Sequence, residues 1–202
     1  MDYSLLTENI SAENAVAYPP VDIVVVAHDQ DECFGDVLNS FSVQDYPDFR
    51  LIVLTTGEVS QMRDFVLGYL PDAQIFAADS DHGYGRNLNS ILDSETDSAF
   101  FLFCHYHAAL APDALRLMVE ESLRSNAGIV GPKIVNWDRP DELLDIGLSV
   151  DKLGFLIPRV ELGELDQEQH DTVSDVFVIS SSISLVRVDL FKAISGFDET
   201  IE

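Results

Sequence analysis

The seven residues Val21-Asp22-Ile23-Val24-Val25-Val26-Ala27 constrain the fold more than any other stretch of the chain. They are β-branched and nearly all apolar, without the polar alternation of a strand that has one wet face. The run therefore reads as a parallel strand covered on both faces and central in its sheet. Pro19-Pro20 immediately before it lacks backbone donors and stiffens the approach to the strand. Residues 1–20 carry no strong period and are expected to form an N-terminal arm.

Strand and helix patterns alternate from there. Phe34, Val37, Leu38 and Phe41 follow the i, i+3, i+4, i+7 spacing of an amphipathic helix, closed by Tyr46-Pro47. Leu51-Ile52-Val53-Leu54 reads as a second buried strand. Phe65, Val66, Tyr69 and Leu70 read as the apolar face of a helix ending at Pro71, and Ile75-Phe76-Ala77 as a short third strand. Leu88, Ile91 and Leu92 mark a helix after a glycine turn, and residues 99–103 a fourth strand. Pro112-Asp113 opens a helix with Leu115, Met118, Val119 and Leu123 on one face, closing near Asn126 to Gly128, before Ile129-Val130 continues the sheet.

Residues 136–174 lose this regularity, and so long a connection is expected to hold short strands or a loop over a site. Residues 176–179 and 183–186 resume strand character. Asp189 is expected to cap a short helix carrying Leu190, Phe191 and Ile194, with Gly196 as terminator. The pattern is that of an α/β protein: an open, mainly parallel, Rossmann-like sheet with helices on both faces and its ligand site at the strands' carboxyl ends.

Composition narrows the functions. A chain of 202 residues, 47% hydrophobic, suits one domain with a substantial core. Its 11 basic and 36 acidic residues give a formal charge of −25, which repels phosphodiester backbones and anionic lipid, so no nucleic-acid partner is expected. The two cysteines, Cys33 and Cys104, have no Cys-x-x-Cys spacing and read as ordinary buried thiols in a reducing compartment. No apolar run is long enough to span a bilayer and no signal peptide precedes the first strand, so the chain is expected to be cytoplasmic, with membrane association possible only in a longer parent.

Four segments carry residues suited to chemistry. Ala27-His28-Asp29 follows the first strand, where His28 can stack on a base and Asp29 accept from a hydroxyl, or both can serve the turn and helix cap. Thr55, in Thr55-Thr56-Gly57-Glu58, can hydrogen-bond a base edge. In Gly83-Tyr84-Gly85-Arg86-Asn87 the glycines permit close backbone approach, and helix N–H groups favour phosphate. Arg86 is one of only 11 basic residues, which makes its place in that turn informative. In Phe103-Cys104-His105-Tyr106-His107 two imidazoles one residue apart on an extended strand can face one side, a pair better suited to Zn²⁺, Cu²⁺ or Ni²⁺ than to Mg²⁺. Cys104 and His105, as strand neighbours, face opposite ways, so Cys104 reads as buried rather than as an activated nucleophile. Trp137 and Asp138, in the irregular segment, suit either a ligand surface or packing.

With Gln44-Asp45-Tyr46-Pro47 and Gly196-Phe197-Asp198-Glu199, and in this order, these segments resemble the nucleotide-sugar-binding domain of family 2 glycosyltransferases over nearly everything after Pro20. The resemblance implies a GT-A fold for residues 21–202, a nucleotide-diphosphate sugar as partner, and transfer of the sugar to a glycan or other hydroxyl acceptor in the parent protein. It implies nucleotide-binding positions at Ala27, His28, Asp29, Thr55, Gly83, Gly85, Arg86 and Asn87. It also implies a divalent metal, Mg²⁺ or Mn²⁺, at the Asp-x-Asp position, here His105 and His107. The chain departs from the family where Val26, His28 and Asp29 replace a Pro-x-Tyr-Asn pattern, where Thr55-Thr56-Gly57-Glu58 replaces Asp-Asp-Gly-Ser, and where His105-Tyr106-His107 replaces Asp-x-Asp. Glu202 precedes the segment in which the resemblance places the catalytic base. The expectation is therefore a catalytic domain incomplete at its C-terminus, inactive alone, with its base beyond Glu202. The alternatives are a degenerate nucleotide-binding or interaction module on the same scaffold, or an unrelated nucleotide-binding α/β protein.

Overall fold

In a computed structural model, which describes residues 18–28, 30–79, 82–92 and 96–200, strand β1 (Val21–Ala27) occupies the middle of a six-stranded sheet. Around it lie α1 (Glu32–Ser42), β2 (Phe49–Thr55), α2 (Val59–Leu67), β3 (Gln74–Ala77), α3 (Tyr84–Leu92), β4 (Phe100–His105) and α4 (Ala114–Ser125). Short strands β5 (Ile129–Val130), β6 (Ile134–Val135), β7 (Leu143–Asp145), β8 (Leu148–Val150) and β9 (Leu156–Pro158) follow, then β10 (Ile183–Arg187) and α5 (Val188–Ala193). The sheet order is β3-β2-β1-β4-β10-β5. The first four of these strands run parallel, and β10 is antiparallel to both β4 and β5. This is the expected mainly parallel α/β architecture with helices on both faces. Of the expected arm, only Tyr18, Pro19 and Pro20 are among the described residues, and Tyr46 Oη donates to the Pro19 carbonyl at 2.5 Å.

Two-residue alternation divides the core into two layers. Val21, Ile23, Val25 and Ala27 face Phe34, Val37, Leu38 and Phe41 of α1, in one cluster with Met62 and Val66 of α2 and Leu115, Met118 and Val119 of α4. Val24, Ile52, Leu54, Phe101 and Phe103 face the other way, onto Leu88 and Leu92 of α3 and Val188 and Phe191 of α5. Helices therefore cover both faces, which is why β1 has no polar stripe. α1 starts where the Asp31 carboxylate accepts the Phe34 N–H at 2.8 Å. α4 stops where Asn126 turns left-handed at φ 58°, held by an Arg187 guanidinium N–H donated to its Oδ1 at 2.6 Å.

Several elements differ from expectation in detail. α2 buries Met62 and Val66, whereas Tyr69 and Leu70 lie past its end, in a tight turn whose two N–H groups both reach the Val66 carbonyl. On α4, Leu123 is exposed and Ser122 is buried, its hydroxyl donating to the Ala127 carbonyl at 2.8 Å. Ser122 stands seven residues after Leu115, close to the same face, while Leu123 is rotated about 80° past it. Residues 176–179 form no strand: Val178 makes an isolated bridge to Leu148, and Phe177 is exposed. Asp189 lies in the first turn of α5 rather than at its cap, because its carboxylate takes the Arg187 guanidinium instead. Residues 131–182 carry the expected short strands as two hairpin-like pairs, β6-β7 and β8-β9.

Polar contacts tie this structure at two places. At the amino end of the sheet Asp22 is 1% exposed, and Arg50 grips it through Nε at 2.6 Å and a terminal nitrogen at 2.9 Å, with the Thr96 hydroxyl donating at 2.9 Å. In the irregular segment the Lys133 ammonium bonds both Asp166 and Asp171 at 2.6 Å. Glu164 accepts the Glu161 N–H at 2.8 Å, the Gln169 amide at 3.0 Å and the His170 ring at 2.9 Å, and these contacts, the backbone one foremost, pull its carboxyl down to about 2.

Two predictions follow from these ties. Arg50→Ala leaves a buried carboxylate without its cation and is expected to lower the unfolding free energy in urea by about 2–4 kcal/mol, the lower half favoured because the guanidinium is partly exposed. Arg124→Ala, which removes a largely exposed guanidinium from its pair with Glu121, is expected to leave the melting temperature nearly unchanged; equal effects would show that Asp22 is hydrated. For Glu164 the folded value lies below the ordinary 4.5, so the unfolded segment binds the proton first. Its stabilising contribution is complete above about pH 4.5 and is lost as pH falls through about 2, and the side-chain carboxyl carbon shift of Glu164 should titrate with that midpoint. A midpoint near 4.5 would mean that the contacts are not formed.

Candidate functional site

The register of the sheet aligns the carboxyl ends of its parallel strands: Ala27 stands opposite Thr55, Thr55 opposite Ala77, and His105 opposite Val26. β1 sits between β2 and β4, whose chains continue to opposite sides of the sheet, the arrangement at which open α/β sheets place a ligand site. Ala27 is buried, and His28, the first residue past the strand, is exposed with its Nδ1 2.7 Å from the Thr56 hydroxyl. Thr55 is buried, and its hydroxyl accepts the Gly57 N–H at 3.0 Å, so the side chain serves the turn. Gly57 is required there, because a Cβ would lie 2.9 Å from the His28 carbonyl oxygen. The loops after β1 and β2 thus interlock. Asp29, expected beside them, lies outside the described residues.

At the end of β4 the chain turns sharply. The His105 N–H donates to the Ser182 carbonyl at 2.8 Å, and the His107 N–H donates to His105 Nδ1 at 3.3 Å. The rings of His105 and Tyr106 are 4.8 Å apart, those of Tyr106 and His107 3.8 Å, and Tyr106 meets His28 edge-on at 5.9 Å. His105 and His107 lie 5.6 Å apart between ring centres, and His107 Nε2 lies 3.6 Å from the Asp31 carboxylate. Burial, then the neighbouring imidazoles of His107 and His28, hold His105 below the usual histidine range. Cys104 points into the core beneath, where burial pushes its thiol up to about 12, which rules it out as a nucleophile at neutral pH.

The turn before α3 is built around Asn87. Its Oδ1 accepts the Asp79 N–H at 2.8 Å, and its Nδ2 donates to the carbonyls of Asp79, His82 and Gly83 at 3.0, 2.8 and 3.2 Å. Asn87 therefore shapes the turn from within. Gly85 lets the late segment Gly196-Phe197-Asp198-Glu199 press on α3: a Cβ would lie 3.0 Å from Phe197 Cβ and 3.3 Å from the Asp198 carbonyl. Asn89 accepts the Phe197 N–H and donates to its carbonyl, both at 2.9 Å, and also donates to Glu199 at 3.1 Å. Arg86 is exposed, with Nε 3.8 Å from the Glu199 carboxylate.

Sequence reasoning did not single out Asp31, Thr56, Gly57, Asn89 or Tyr106 as site residues. Asp31 was findable as the residue three before Phe34 in a capping pattern. Asn89 was not, because its partner lies 108 residues away. Trp137 is half-exposed on the irregular segment, and the Asp138 N–H is held by Asn136 Oδ1 at 2.9 Å. A shallow cavity of about 550 Å³ lined by Pro19, Phe100, Asn126, Arg187 and Lys192 lies at the opposite, amino end of the parallel strands.

Among the described residues no group of three or more His, Cys, Asp or Glu side chains could hold a metal ion. His105 Nδ1 faces an N–H donor and His107 Nε2 faces a carboxylate, so the pair does not supply the hard oxygen ligands that Mg²⁺ or Mn²⁺ takes. The residues at this position do not fit the metal that the resemblance implies.

The profile of the glycosyltransferase like family 2 matches residues 19–201, and the chain belongs to that family. A search of curated proteins finds no match. Among solved structures the fold is similar to the mannosyltransferase PcManGT from Pyrobaculum calidifontis in complex with GDP-Man and Mn²⁺, with TM-score 0.60 and 13% identity, covering 91% of this chain and 49% of that one. It is also similar to S. aureus TarS 1-349, with TM-score 0.59 and 16% identity over 91% of this chain and 51% of that one. The same TarS fragment in complex with UDP gives 0.60 and 18%, over 90% and 51%. The chain thus spans about half the length of these structures. Among the described residues no helix is long and apolar enough to cross a membrane.

The clamp around Asn87 can be tested directly. Asn87→Ala removes both an acceptor and a donor from a buried turn and is expected to cost about 2–3 kcal/mol of stability in chemical denaturation. A variant of wild-type stability would show that the side chain is not needed to hold the turn.

Proposed function

We propose that this domain binds a nucleotide-diphosphate sugar at the carboxyl end of β1 to β4, and that the parent protein transfers the sugar to a glycan or other hydroxyl acceptor. The observation that carries this reading is the convergence of His28 with Thr56, the turn opening α3, and His105 at one end of a family 2 sheet. In this reading the loops at His28 and Thr55–Gly57 flank the base and ribose. Gly83 and Arg86 lie toward the diphosphate, where a guanidinium is the side chain best able to pair with phosphate oxygens, while Gly85 packs against Phe197 and Asp198 behind them. Structural neighbours carrying GDP-Man, UDP and UDP-GlcNAc support a nucleotide sugar as the ligand class. The mannosyltransferase neighbour carries Mn²⁺ with GDP-Man, which supports a divalent ion in the parent's chemistry, although His105 and His107 do not suit one. A cytoplasmic setting accords with two free cysteines and with a soluble donor.

A second reading, a nucleotide-binding or interaction module without transfer, is favoured by one feature: imidazoles stand where the family's carboxylates do. Transfer to an acceptor pool, measured for the parent protein with several nucleotide sugars, separates the two, since the module binds without turnover. Within either reading Arg86 is the diphosphate contact. Arg86→Ala should weaken UDP or GDP binding in calorimetry at least about fivefold without lowering the melting temperature, because its ion pair with Glu199 is exposed. Unchanged affinity would remove Arg86 from the site.

A further inference from the structure

Three imidazoles meet at the end of β4, and the contacts around them bear on which ring nitrogens carry protons. Because the His107 N–H donates to His105 Nδ1, neutral His105 carries its own proton on Nε2, as a donor rather than as a lone pair for a cation. His107 is turned toward Asp31, which in turn is fixed by the Phe34 N–H at the head of α1. His28 has Nδ1 engaged with the Thr56 hydroxyl, and the tautomer in which Thr56 donates leaves an N–H on its Nε2. His105 thus presents an N–H on Nε2, and His28 presents a second in that tautomer.

Its position completes the argument. Along β4 His105 alternates with Phe101 and Phe103, so it continues the face on which α3 and α5 pack. Phe103 meets Phe197 at 5.0 Å, and Phe197 meets Tyr84 at 5.7 Å, which brings the first turn of α3, and with it Arg86, to the same end of that face. A diphosphate carries only acceptor oxygens, so N–H groups satisfy it where lone pairs would repel it. We propose that this corner receives the diphosphate of the nucleotide directly, through the imidazole N–H groups of His105 and His28 beside Arg86, with no bridging divalent ion. The inference rests on the nucleotide-binding reading above and departs from the family only in how the diphosphate is held.

Calorimetric titration of inorganic pyrophosphate, UDP and GDP into the chain, once in EDTA and once in Mn²⁺, tests it. Pyrophosphate and at least one nucleotide are expected to bind in EDTA with a Kd within about threefold of the Mn²⁺ value. His105→Ala is expected to weaken both about 10-fold or more, with the melting temperature unchanged because the ring is exposed; His28→Ala is an independent variant expected to weaken them less. Binding that requires Mn²⁺, or that is indifferent to both variants, overturns the proposal and leaves the nucleotide reading standing. Pyrophosphate bound in EDTA without any nucleotide binding supports the donor corner and overturns the nucleotide reading. No binding under any condition overturns both.

Discussion

The burial of β1 on both faces is the constraint from which the rest of the structure follows. A strand with Ile23 and Val25 on one side and Val24 on the other leaves no face to water, so helices must cover both. Parallel partners β2 and β4 then flank it, and each needs a crossover that returns over the sheet. The loops that leave the carboxyl ends diverge around β1, and His28, Thr55 and His105 are delivered to one place by register alone. At the amino end the buried Asp22 carboxylate is instead tied to Arg50 and Thr96.

The second organising contact is long-range. Phe197 enters an aromatic stack with Phe103 at 5.0 Å and Phe191 at 5.2 Å, while the backbone around it is hydrogen-bonded by Asn89. The late glycine allows this: Gly196 has φ +77°, and a Cβ there would lie 2.4 Å from Asn89 Oδ1. The segment therefore braces the first turns of α3 from outside, as Asn87 braces the preceding turn from inside. Arg86 stands between the two braces, with only a long, exposed ion pair to Glu199. A side chain so placed is positioned without being neutralised.

How much of this was legible in the sequence depends on the range of the signal. β1, α1 and β4 declare themselves through local period, and their observed limits follow the apolar runs closely. α2 and α4 were found, but one apolar residue on each was assigned to the wrong face, because Tyr69 follows the helix's tight end and Leu123 is one position past the stripe. Residues 176–179 look like a strand by composition, yet the sheet already has its neighbours in β4, β10 and β5, and the segment is left to a single bridge. At the site, the sequence marks His28, Thr55, Asn87 and His105 by position. It cannot show that Thr55 and Asn87 turn their polar atoms inward, because those partners are backbone groups brought near only by folding.

The charge distribution explains why the corner at His105 matters. With a formal charge of −25 the protein's field opposes the approach of a diphosphate, and at physiological salt that field reaches about 8 Å before screening removes most of it. The few cations are largely committed elsewhere: Arg50 to Asp22, Arg116 to Asp45 and Glu120, Arg124 to Glu121, Lys133 to Asp166 and Asp171, Arg139 to Glu142, and Arg187 to Asp189. An anionic ligand must then be held by short-range contacts that act inside the screening length. Family 2 enzymes that bind a metal ion meet that need with a cation held by carboxylates. At the site proposed for the diphosphate, imidazoles in place of those carboxylates would bring no negative charge to the ligand and would offer hydrogen-bond donors instead. The substitution that weakens the case for a metal ion thus lowers the electrostatic cost of doing without one.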